Sequence, residues 1–166
     1  KNPRLLRWKL IIPNTIITIW TSAFSEAFSW SSENTLILWT WLQEIDDVAF
    51  YWNNFTWSLL LPDSLNTIWR SVFEWNKFNG ELIIHSNIAN IGWSAFRLNN
   101  FTKINLANAN NLTEIQGYAF ADMQSATWDL IIPDSITAIY EWAFRNTFTW
   151  NESTLTLWTW LQTIGK

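Results

Sequence analysis

Apolar residues in this chain return in one register. Ile-x-x-x-(Ala/Val)-Phe recurs with Ile at 19, 45, 68, 91, 115 and 139, and Phe24, Phe50, Phe73, Phe96, Phe120 and Phe144 close the six copies. A seventh copy begins at Ile164. Nine residues before most of these Ile stands a Leu opening a short apolar run: Leu10, Leu36, Leu59, Leu82, Leu130 and Leu155. In the fifth copy the counterpart is Ile104, so the stretch from Asn105 to Asn111 carries a two-residue insertion. Self-similarity at such a period is the signature of a repeat architecture.

Each unit predicts one coil of a solenoid. Leu10-Ile11-Ile12-Pro13 reads as a short strand that Pro ends, because Pro cannot go on donating to a ladder. Pro62 and Pro133 repeat that stop, and His85 takes the slot in the fourth copy. Ile16-x-x-Ile19 reads as a second short extended piece, with Ser22-Ala23-Phe24 starting a helical turn before a polar loop. The other Phe residues, Phe28, Phe55, Phe78, Phe101 and Phe148, form a second series, with Met123 as the filler in the fifth unit. Two aromatic ladders suit stacked coils, since no unit of this size buries its apolar face alone. The expectation is a β-rich leucine-rich-repeat solenoid, short strands plus short helical turns, of about seven coils of 23–26 residues. It is read as a single array over residues 1–166, a fragment of a longer protein without end caps, prone to end-to-end self-association.

The pattern Leu-x-(Ile/Leu)-Pro-x-x-(Ile/Leu)-x-x-Ile-Gly-x-x-Ala-Phe resembles the BspA-like leucine-rich repeat of bacterial and protozoan surface proteins. Leu59 to Phe73 and Leu130 to Phe144 match it best. The resemblance implies an extracellular or cell-surface, non-enzymatic module for protein–protein interaction or adhesion, with a protein or a host or extracellular-matrix surface ligand as partner. It carries no catalytic residue over. The Cys often found after Ala-Phe in that family is absent, and the family's glycines are mostly written as Trp.

Composition sharpens this. There are 15 Trp and only 4 Gly in 166 residues. Gly80 shares its repeat position with Trp8, Trp57 and Trp128; Gly92 and Gly165 share theirs with Trp20 and Trp69. A tight turn uses Gly because a positive φ costs it nothing, whereas a side chain there costs roughly 1–2 kcal/mol. Three readings compete. The tryptophans form a stacking surface for sugars, making the chain a carbohydrate-binding module with genuine Trp. Or they fill the core, at an overpacking cost of ~1–3 kcal/mol per site. Or W is a decoding error: some bacterial lineages read UGA as glycine, and a table that reads it as tryptophan would write W at those codons. The third accounts for the Trp excess, the Gly deficit and the shared slots together.

Candidate chemistry is sparse. Net charge is −4, with no basic stripe for nucleic acid. Without Cys there is neither a disulfide framework nor a thiolate metal site. No apolar run approaches the ~18 residues of a membrane span, and no cofactor is expected. His85, the one His, reads as a turn residue. Glu44, Asp46 and Asp47 read as a solvated edge, since no Ca²⁺ loop surrounds them. Asp63, Asp129 and Asp134 are turn residues. Asn54, Asn100, Asn111 and Asn151 head Asn-x-(Ser/Thr) triplets that arise easily in Asn- and Thr-rich loops.

One candidate surface remains. The middle residue of Leu-x-(Ile/Leu) points away from the two that enter the core. That position holds Ile11, Ile37, Leu60, Ile83 and Ile131, interrupted by Asn105 and ending in Thr156. These make an apolar stripe on one sheet face, either covered by another part of the coil or exposed as a partner-binding surface.

Overall fold

A computed structural model describes residues 7–31, 33–123, 126, 130–148, 155–157 and 159–165. Trp128, Trp150, Trp158, Asp129 and Asn151 lie outside them. The chain winds into a β-solenoid in which every coil contributes two short strands. The first series is β1 (Arg7–Ile11), β3 (Glu33–Ile37), β5 (Thr56–Trp57), β7 (Lys77–Ile83), β9 (Asn100–Asn105), β11 (Leu130–Ile131) and β13 (Leu155–Thr156). The second is β2 (Thr18–Ile19), β4 (Glu44–Ile45), β6 (Thr67–Ile68), β8 (Asn90–Ile91), β10 (Glu114–Ile115), β12 (Ala138–Ile139) and β14 (Thr163–Ile164).

All pairing between coils is parallel and follows the repeat register. Leu10 faces Leu36, Leu82 faces Ile104, and Leu130 faces Leu155. In the second series Ile19 faces Ile45, Ile45 faces Ile68, and Ile68 faces Ile91. The Ile104 pairing confirms where the insertion falls. The extra residues form a turn in which Ala109 and Leu112 are buried and Asn110 and Asn111 face solvent.

No helix occurs among the described residues, and the segment expected to start a helical turn is a run of turns instead. Its geometry explains why. The third residue after each repeat Ile is left-handed in all six full coils: Ser22, Val48, Ser71, Ser94, Tyr118 and Trp142. So is the seventh: Glu26, Trp52, Trp75, Leu98, Asp122 and Asn146. A left-handed residue every fourth position stops a right-handed helix from propagating. It also turns alternate N–H groups toward the next coil. Phe50 N donates to Val72 O at 3.0 Å, Trp52 N to Glu74 O at 3.0 Å, and Phe73 N to Ala95 O at 2.8 Å. Intercoil bonds recover part of the strain.

The core is two interlocked aromatic ladders. Rings of the first series stack almost parallel: Phe24–Phe50 at 5.5 Å, Phe50–Phe73 at 5.7 Å and Phe73–Phe96 at 5.5 Å between centroids. Second-series rings stack too, Phe55–Phe78 at 5.9 Å and Phe78–Phe101 at 6.1 Å. Within the second, third and fourth coils the two rings meet edge to face, as in Phe73–Phe78 at 84°, whereas Phe144 and Phe148 of the sixth stack at 27°. Both arrangements are favoured by ring quadrupoles. In the fifth coil Ala126 bridges to Phe148, which places it in the second-series slot, and Met123 is fully buried within the core.

A buried polar ladder runs alongside. Asn53, Asn76 and Asn99 stand at one position of successive coils, almost without solvent contact. Each caps its own turn and bonds the coil before it. Asn76 Nδ2 donates to Phe50 O, Phe73 O and Glu74 O, while its Oδ1 accepts from Asn53 N and Phe55 N. Buried backbone groups need such partners.

Candidate functional site

The apolar stripe can now be placed. Leu10, Leu36, Leu59, Leu82 and Leu130 turn inward, whereas Ile11, Leu60, Ile83 and Ile131 are exposed and Ile37 is half-buried. Their exposed fractions run from 46% at Ile83 to 76% at Leu60. Ile11 lies opposite Ile37, Ile83 opposite Asn105, and Ile131 opposite Thr156. Two ion pairs accompany the row at different repeat positions: Arg7 pairs with Glu33 at 2.8 Å and Lys103 with Glu81 at 2.9 Å. Hydrogen bonds from Lys103 and Asn105 hold the Glu81 carboxyl below its ordinary pKa. The ladder lapses at Leu59–Leu61, immediately after Trp57.

Every described tryptophan is exposed, so none serves as core. Their backbones divide the shared slots in two. Trp57 and Gly80 are both left-handed, but Trp8 in the same slot is not. In the slot of Trp20, Trp69 and Gly92 none of the three is left-handed; Gly165 is. The expectation that this second slot is a turn therefore needs correction. Its residue still belongs to the strand ladder: Trp69 N donates to Ile45 O at 3.0 Å and Gly92 N to Ile68 O at 2.8 Å. What matters at Gly92 is space, because a Cβ there would stand 2.6 Å from the carbonyl carbon of Trp69.

On the face of the second strand series lies an open cleft of about 410 Å³ spanning four coils, bordered by Trp69, Gly92, Trp93, Asn90, Glu114 and the Asp47–Arg70 pair. Sequence reasoning missed it. Its residues belong to different repeat positions and meet only through stacking.

The remaining candidates are spent on structural partners. Asp46 accepts from Thr21 Oγ1 at 2.7 Å and from the N–H of Asp47, which together hold its carboxyl below the ordinary range. Asp47 takes Arg70 N at 2.9 Å and Glu44 takes the Trp69 indole N–H. The three acids thus serve three different partners, and no group of three metal-ligating side chains gathers among the described residues. His85 Nε2 lies 3.0 Å from Pro62 O and its Nδ1 accepts from Asn87 N, which assigns the neutral Nε2-H tautomer and a turn role. Asn54 Nδ2 is engaged with Ser29 O, while Asn100 and Asn111 are exposed. No helix among the described residues is long and apolar enough to cross a membrane.

A less visible charge cluster ties three turns together. Arg97 lies 3.4 Å from Glu74 and 2.9 Å from Asp122, and its guanidinium sits 5.2 Å from the Tyr118 ring centroid. Burial raises the Glu74 carboxyl above its usual pKa, and Ser71 and Arg97 offset only part of that. Burial also pushes Asp122 upward, but hydrogen bonds from Arg97 and Asn146 bring it below the ordinary value.

A search of curated proteins finds no match. A family model described as a BspA type Leucine rich repeat region matches residues 7–127 and 100–166, in six copies. Solenoids of this kind are typically interaction scaffolds without catalytic machinery. The chain belongs to the BspA-type leucine-rich repeat family.

Proposed function

We propose that the chain is a non-enzymatic interaction or adhesion module of a cell-surface or extracellular protein, and that Ile11, Ile37, Leu60, Ile83 and Ile131 form its partner-binding stripe. One observation carries this reading. The same position holds Asn105 and Thr156 in two other coils, so stacking does not require an aliphatic residue there. Exposed apolar rows without a folding role mark contact surfaces. The partner is a protein, such as a host or extracellular-matrix surface ligand, with an apolar ridge to lay along the row. Changing Ile37, Leu60 and Ile83 together to Thr should abolish adhesion to immobilised matrix proteins while leaving the circular dichroism spectrum unchanged. Undiminished adhesion by that folded variant would remove the stripe from consideration.

End-to-end association of chains belongs to the same proposal. It predicts concentration-dependent sedimentation.

The W letters at the slots shared with glycine are read as glycines encoded by UGA, a reading that position 57 supports. That support is the backbone shared with Gly80, and the codons are the test: UGG there rejects it. A second functional reading, carbohydrate binding by genuine tryptophans, is favoured by the cleft between Trp69 and Trp93.

A further inference from the structure

Two of the exposed indoles have seats of their own. Trp69 leans toward the second coil, where its Nε1 donates to Glu44 Oε1 at 2.5 Å. Trp93 leans the opposite way, over the fifth coil. A Cβ added at Gly117 would lie 2.8 Å from its Cζ2, so only glycine leaves room for the ring. The Tyr118 ring backs it at 5.7 Å between centroids. Between the two lies Gly92, from which no side chain can rise without meeting the Trp69 carbonyl. Splayed indoles over a bare glycine leave the open cleft of about 410 Å³, within the ~300–1,000 Å³ range of small-ligand sites.

The lining selects a ligand class. The indoles are 46% and 40% exposed, offering apolar surface already fixed by Glu44 and by Gly117 with Tyr118. Around them stand an amide (Asn90), a hydroxyl (Thr113) and a carboxylate (Glu114), a mixture of donors and acceptors. Sugar hydroxyls both donate and accept, and a pyranose ring has one apolar C–H face to lay on an aromatic. Charge narrows the choice. The single cation, Arg70, is paired with Asp47 at 3.5 Å, so Glu114 leaves the site acidic and disfavours anionic ligands.

We propose that the cleft of Trp69, Gly92 and Trp93 binds a neutral saccharide, stacked on indole and hydrogen-bonded by Asn90, Thr113 and Glu114. This rests on the carbohydrate reading above and requires genuine tryptophan at positions 69 and 93, whatever stands at 57.

The test is isothermal titration of the whole chain with cellotetraose, chitotetraose and mannotetraose, with circular dichroism as the check on folding. At least one probe should bind saturably. Trp69→Ala and Trp93→Ala should each weaken it about tenfold, and Trp93→Phe less, because a ring remains. Leu60→Thr should leave it untouched, which separates this site from the stripe: loss of matrix adhesion in that variant concerns the stripe alone. The proposal is overturned if the folded chain binds none of the probes, or if binding survives both alanine variants. A proline-rich peptide binding there in place of every saccharide would overturn it too, as would UGA at codon 69 or 93.

Discussion

Trp57 and Gly80 occupy one geometric point of successive coils. Trp57 lies opposite Phe78 and Gly80 opposite Phe101, and their φ angles are 72° and 78°. Glycine takes that conformation freely, whereas a Cβ clashes with the following carbonyl. After Gly80 the strand continues to Ile83; after Trp57 it stops.

Trp57→Gly is therefore expected to stabilise the fold by about 1–2 kcal/mol, the relief of one left-handed side chain. The contrast is Trp20→Gly, where φ is not positive and no such relief is available. Urea titration of both variants checks the difference. Equal shifts would mean that backbone strain is not what distinguishes position 57.

The aromatic ladder predicts a gradient. Phe73 is fully buried, stacked between Phe50 and Phe96 and meeting Phe78 edge-on. Phe24 is only partly buried, and its ring stacks on Phe50 alone. Phe73→Ala should cost ~3–5 kcal/mol, as large core truncations do, and Phe24→Ala clearly less. Comparable losses in thermal unfolding would show that ring stacking is not what holds successive coils together.

The register of Ile and Phe made the coil, its insertion and its inward and outward residues readable, because burial on a short strand alternates. Residues 22, 48, 71, 94, 118 and 142 gave no such signal. Ser, Val, Tyr and Trp share a left-handed backbone there that intercoil bonds impose against local preference. The Asn ladder was visible in principle, as Asn-x-Phe at Asn53, Asn76 and Asn99. Its role was not, since an Asn in a loop usually faces water. The cleft was hidden for a third reason: Gly92 and Trp69 meet across coils.

Opposite pH responses are expected from the two carboxylates on Arg97. Asp122 has a lowered folded-state pKa, so it adds stability above the ordinary carboxylate value of ~3.9 and loses it as pH falls through the lower folded value. Asp122→Asn should be less stable than the parent at neutral pH, with the gap closing as pH falls below the ordinary carboxylate value and through the lower folded one. Glu74 has a raised folded-state pKa, chiefly from burial. Its contribution is present below the unfolded value and lost as pH rises through the folded one, so Glu74→Gln should remove that loss. Thermal unfolding across the acid range reads both, and parallel curves for the two variants would contradict the assignment.

Asn76 offers the sharpest test of how coils are bonded. Its side chain donates to three carbonyls and accepts from Asn53 N and Phe55 N, the latter at 3.1 Å, all in a buried setting. Alanine would leave those groups unpaired, at ~1–3 kcal/mol for each that water cannot reach. A total loss of about 3 kcal/mol or more is expected. Thr147 takes the position in the sixth coil and still donates to Phe120 O, so Asn76→Thr should fall between Asn and Ala. Asn76→Asp keeps the acceptor but removes the donors and buries a charge, and it should be worst at neutral pH, recovering on acidification. Urea denaturation of the three variants ranks them. An alanine variant within about 1 kcal/mol of the parent would mean that the ladder only accompanies the stacking of coils, which the phenylalanines would then carry alone.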